Sequence, residues 1–136
     1  MAGIGRKILA VVAGFALWGI LWSLGTTGAQ AALPAILAPD QPIEHTGALW
    51  GLIAYSVVLS ILVGYVAAMI ASARAVLALA IVNLVAGIIA EVSYWELMPV
   101  WYHLIFLLLV APSTLFGGIL HSKLRRVSAE PNSSAT

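Results

Sequence analysis

The chain has 136 residues, of which 62% are hydrophobic and only 8% charged, with a formal net charge of +1. A soluble domain carries about 25% charged residues to wet its surface, so this composition excludes a water-soluble globule and points to lipid as the solvent. There is no cysteine, which excludes disulfides, thiol catalysis, iron–sulfur clusters and thiolate zinc sites; no basic patch exists outside the helix flanks, which argues against a nucleic-acid partner.

A helix crosses the hydrocarbon core of a bilayer in roughly 20 residues. Four apolar stretches meet that length, at about residues 8–25, 48–71, 75–95 and 100–121. The expected fold is therefore an all-α membrane protein, a four-transmembrane-helix bundle running up-down-up-down. The first span follows Arg6 and Lys7, and its pattern could carry it on to Leu33, where Pro34 would end it. Basic residues, an apolar run and Ala29-Gln30-Ala31 loosely resemble a secretory leader, and cleavage there would leave three helices. The apolar run exceeds the usual 7–15 residues of a leader and contains Trp18 and Trp22, so it is read as a span. Ala10, Gly14, Trp18 and Trp22 recur at four-residue spacing, a small-to-large gradient on one face.

Hydrophobicity cannot hold helices together inside lipid, so small residues that let backbones approach become the packing signal. The second span has a ridge of them: Ser56, Ser60, Gly64, Ala68 and Ser72. Packing within one bundle is the plainer reading of this ridge, and contact with a second protein the sharper one. The third span places Asn83, Gly87, Glu91 and Trp95 on one face, with Asn83 near mid-bilayer and Glu91 about one turn inside the boundary. The fourth contains Pro112, which frees the carbonyl of Leu108 and should kink the helix; Ser113 and Thr114 are placed to compensate. Gly117 and Gly118 sit near its far end. Residues 127–136 are small and polar and read as a solvated tail. The two short connections make the second, third and fourth spans consecutive antiparallel hairpins.

With four spans, all six basic residues (Arg6, Lys7, Arg74, Lys123, Arg125 and Arg126) fall on one side. Basic residues in short loops stay cytoplasmic, so both termini are expected inside, in the cytoplasmic (inner) membrane of a bacterium. Trp50, Tyr94, Trp95, Trp101 and Tyr102 would mark the outer boundary.

Ionisable and amide groups inside a membrane are the places where function shows. Asn83 is expected to hydrogen-bond a hydroxyl such as Ser56 or Ser60. Glu91 is expected either to reach the interface or a protein donor, or to serve as a protonatable coupling group. Asp40, Glu44, His45, Glu96 and His103 gather toward the outer side, yet no metal-ligand spacing occurs among them, so no metal and no cofactor is predicted. His103 and His121 lie about 27 Å apart along one helix and cannot clamp one haem. His121 joins Lys123, Arg125 and Arg126 in a cationic flank suited to anionic headgroups. No nucleophile–base pair or phosphate loop is visible, so no catalytic residue is assigned and the chain is read as non-enzymatic.

Three segments resemble a loose group of small bacterial membrane proteins without an established activity: VVAGFALWGILW (Val11 to Trp22), LVGYVAAMIA (Leu62 to Ala71) and APSTLFGGIL (Ala111 to Leu120). That likeness implies four helices and a bacterial source. Locally, GIIAEVSYWELM (Gly87 to Met98) is similar to the acidic first helix of small multidrug resistance transporters, which are dimeric four-helix antiporters. Here the segment falls on the third helix, and the long first connection is foreign to that family. The favoured expectation is an accessory or structural subunit that packs in the bilayer against a larger membrane complex or against itself. The alternative is a small oligomeric proton-coupled transporter that uses Glu91.

Overall fold

All four apolar stretches are helical in the computed structural model, which describes residues 3–129. The helices are α1 (Ile4–Ala32), α2 (Thr46–Ile70), α3 (Ala73–Ser93) and α4 (Val100–Ala129), with one 3-10 turn, Trp95–Leu97, between the last two. Each is long and apolar enough to cross a membrane, and no strand occurs among the described residues. An integral four-helix bundle with lipid-facing outer surfaces follows.

Two helices are longer than their apolar cores. α1 continues past its apolar core, near residue 25, to Ala32, the longer extent its sequence allowed, and α4 reaches Ala129 where composition suggested about residue 121. Apolar composition marks where the hydrocarbon ends, whereas a helix satisfies its own backbone and continues through polar residues. Thr26, Gln30, Ser122 and Arg125 are therefore helical. At 29 residues α1 is about 44 Å long, more than the ~30 Å hydrocarbon core. It stops at Leu33, the residue before Pro34, because proline disfavours the helical conformation in its predecessor. The first three residues of the expected tail, 127–129, belong to α4, and 130–136 lie outside the described residues.

The most extensive contact joins α2 to α4, and α1 lies against α2 and α3. Chain neighbours α2 and α3 remain antiparallel through their tight turn but face each other across the diagonal, with a much smaller contact. Close backbone approach explains this order. A Cβ built on Gly64 would lie 1.9 Å from the Thr114 carbonyl oxygen, and one on Gly117 would lie 2.0 Å from that of Ile61. Two glycines facing each other's backbones let α2 and α4 pack more tightly than any faces that carry β-carbons.

The small-residue ridge of α2 lies on this inner side. Ser56, Ser60 and Gly64 are buried, and Ala68 and Ser72 partly so. α4 runs unbroken through Pro112. Thr114 Oγ1 donates to the Val110 carbonyl at 2.9 Å, one turn back along the strand of carbonyls that the proline disturbs.

The core divides in two. Toward the termini, Ala10, Val63, Ala67, Ala75, Val76 and Leu79 pack together; toward the other end, Leu49, Ile53, Tyr102 and Phe106 do. Trp18 ties α1 to α2 by donating its indole N–H to Ser60 Oγ at 3.1 Å. One turn further, Tyr55 donates its hydroxyl to the Leu21 carbonyl. Its ring needs the bare backbone of Gly25, where an added Cβ would lie 2.3 Å from the hydroxyl.

Candidate functional site

At the end opposite the termini, the long connection between α1 and α2 folds back over the bundle. Leu37 is buried there, and the Ile43 N–H donates to the Leu97 carbonyl at 2.8 Å, tying this loop to the α3–α4 turn. Asp40 holds a left-handed backbone conformation, φ 58°, at the tip. Between α1, α3 and this loop lies a cavity of about 410 Å³, within the range of small-molecule sites. It runs from Asn83 and Val110 in the bundle interior to the exposed Asp40 and Gln41.

Its wall is aromatic. Trp18 and Trp22 stack with ring centroids 5.3 Å apart, and both meet the edge of Phe106, at 6.4 and 5.7 Å. The four-residue repeat of α1 thus does two jobs. Its small members, Ala10 and Gly14, are buried against neighbouring helices, while its tryptophans wall the cavity.

From α3 come Asn83, Gly87 and Glu91, one face in sequence and one wall in space. Eight residues separate Asn83 from Glu91, about 12 Å along the helix. Asn83 does not make the expected bond to Ser56 or Ser60. The Ser60 hydroxyl oxygen accepts from Trp18, and Ser56 donates to the carbonyl of Ile53 in its own helix at 2.7 Å. Both carboxamide atoms of Asn83 are buried without a hydrogen-bond partner, and so is the hydroxyl of Tyr102, which also lines the cavity.

Glu91 reaches a protein donor. Its Oε2 is paired with Nδ1 of His103, in the first turn of α4. His103 is fully buried, not part of an outer surface, because the 3-10 turn covers it: its ring stacks on Trp95 at 4.6 Å. Nε2 faces the carbonyl oxygens of Trp95 and Met98 at 3.1 and 3.2 Å, so it carries a proton and donates it. Nδ1 is then left for Glu91. Either a protonated Glu91 donates to neutral imidazole, or an imidazolium donates to carboxylate. In both forms the pair holds one exchangeable proton between its partners and has no net charge.

The remaining members of the outer acidic and histidine group do not converge. His45 caps α2, its Nδ1 accepting from the Ala48 N–H at 3.1 Å, while Glu44 and Glu96 are exposed. Among the described residues no three histidine or carboxylate side chains come together in a way that could hold a metal ion. At the opposite end His121, Arg125 and Arg126 line a separate depression beside Ser72.

The pairing of Glu91 with His103 was within reach of the sequence, since the two flank one short turn at the same end. The burial of His103 was not, because it depends on how that turn folds. Tyr102, expected as an aromatic marker of the outer boundary, is instead fully buried in the bundle, and the fold-back of residues 37–43 carries no sequence signal of its own.

No family model matches the chain, and no curated protein or solved structure matches it.

Proposed function

We propose that this protein is a small non-catalytic carrier of the cytoplasmic membrane that binds an amphipathic small molecule and couples its passage to a proton. The observation that carries this reading is the cavity, whose α3 wall presents Glu91 and Asn83 together. The Glu91–His103 pair supplies a proton-exchanging element at that wall, beside the path a ligand takes through the cavity. One four-helix unit encloses too little space for a continuous path, so the working form is an oligomer. No cofactor and no covalent step enters the proposal. Both termini are assigned to the cytoplasm from the cationic end of the bundle, and a bacterial inner membrane is the expected location.

The test is reconstitution in liposomes loaded with a pH-sensitive dye and challenged with uncharged and cationic amphiphiles. Wild-type protein is expected to move protons with at least one of them, and Glu91→Gln with none. Flux that persists unchanged in Glu91→Gln, or never arises, defeats the carrier reading.

An accessory subunit is the second reading, and one observation favours it. Only Ala10 and Gly14 of α1 are buried, against seven or eight residues in each of the other helices. The small-residue ridge of α2 does not add to it, because α4 occupies that face. Purification in mild detergent followed by intact-complex mass measurement separates the two: a chain that stays without partners rules out the subunit role.

A further inference from the structure

We infer that the cavity takes an uncharged amphiphile, its hydroxyl or carbonyl head held by the Asn83 carboxamide and its apolar body lying against Trp18, Trp22 and Phe106. This rests on the ligand-binding reading above and adds the chemical class of the ligand.

Asn83 is only 4% exposed, lines the cavity, and leaves both its donor and its acceptor unused. A buried amide with neither bond made is costly, and native proteins retain few of them without a reason. Both serines that could have served it are engaged with Trp18 and Ile53. A ligand hydroxyl, which both donates and accepts, can serve either atom of the amide, whereas a carbonyl accepts from Nδ2 alone. Tyr102, another lining residue, likewise keeps a buried hydroxyl without a partner.

Charge selects against a cation at this depth. Glu91 is the acid on the α3 wall, and its carboxyl is already matched by His103 with no net charge left over. A cationic ligand would have to displace a fully buried imidazole that is held on its far side by two carbonyls. Among the described residues no lysine or arginine lines the cavity, so an anion has no partner there either, and the other carboxylate on its wall, Asp40, is exposed at the loop. What remains is a mostly apolar, aromatic chamber in which the deeply buried amide, Asn83, is unfilled, which suits a neutral head and an apolar body.

The full chain in lipid nanodiscs is titrated calorimetrically with 4-octylphenol, which is uncharged, and with tetraphenylphosphonium, a lipophilic cation. Wild-type protein is expected to bind 4-octylphenol at one site and to bind it at least tenfold more tightly than the cation. Asn83→Ala should weaken the phenol about tenfold. Asn83→Ser, smaller but still polar, should give a lesser loss and guards against a folding failure of the first variant. Preferential binding of the cation, or phenol binding that Asn83→Ala and Asn83→Ser leave unchanged, overturns the inference while leaving a ligand-binding protein. Binding of neither probe overturns this inference and counts against the ligand-binding reading itself.

Discussion

Glu91 and His103 meet across the α3–α4 turn, twelve residues apart in sequence, with the imidazole fully buried and the carboxyl at the cavity wall. Removing one partner of a buried pair costs more than the pair contributes, because the other is left without compensation. His103→Ala strips Glu91 of its partner and empties the space between Trp95 and Tyr102, so it should destabilise the fold by about 3 kcal/mol. Glu91→Gln keeps a donor toward Nδ1 of the neutral ring and should cost about 1 kcal/mol or less. Unfolding in mixed micelles with increasing denaturing detergent measures both. Equal losses would mean that the pair does not act as a unit.

The glycines of the α2–α4 contact give a prediction whose sign is diagnostic. Helix propensity alone favours alanine over glycine by about 1 kcal/mol. At Gly64 and Gly117, however, a Cβ would lie about 2 Å from a facing carbonyl oxygen, and backbone cannot step aside as a side-chain tip can. Gly64→Ala and Gly117→Ala should each lose about 2 kcal/mol, whereas Gly28→Ala, with open space around it, should be neutral or slightly stabilising. The same micelle unfolding assay decides, and a stabilised Gly64→Ala would contradict the packing described.

These two cases show why the fold was more legible than the site. Span number and type follow from composition, because lipid tolerates only a few solutions for apolar backbone. The small ridge at Ser56, Ser60 and Gly64 could be read as an interface, yet nothing in its spacing says which helix fills it. That choice is made by Gly117, whose own approach to Ile61 completes the fit from α4. Asn83 was recognisable as an intramembrane polar group, and its expected serine partner was wrong because Trp18, four residues beyond Gly14 on another helix, reaches Ser60 first. Partnering inside a membrane is a competition among all nearby donors, and the competitors lie on different helices.

Trp18 and Ser60 offer a direct measure of that competition. Their 3.1 Å bond links α1 to α2, and interhelical hydrogen bonds in membranes are worth about 0.6 kcal/mol on average. A double-mutant cycle with Trp18→Phe and Ser60→Ala should return a coupling of about that size. Zero coupling would show that Ser60 is free to serve Asn83 instead, and would remove the unpartnered amide from the cavity wall.

Orientation is the last point that can be tested cleanly, because the chain contains no cysteine of its own. Arg6, Lys7, Arg74, Lys123, Arg125 and Arg126 lie at the end carrying the termini and the α2–α3 turn, while Asp40 and Gln41 lie in the loop at the other end. If the cationic end faces the cytoplasm, the cavity mouth faces outward. Gln41→Cys and Ser128→Cys both replace exposed residues. In spheroplasts, a membrane-impermeant maleimide should label Gln41→Cys at once and Ser128→Cys only after lysis. The reverse pattern would place the mouth in the cytoplasm, and the proposed ligand would then enter from the cell interior.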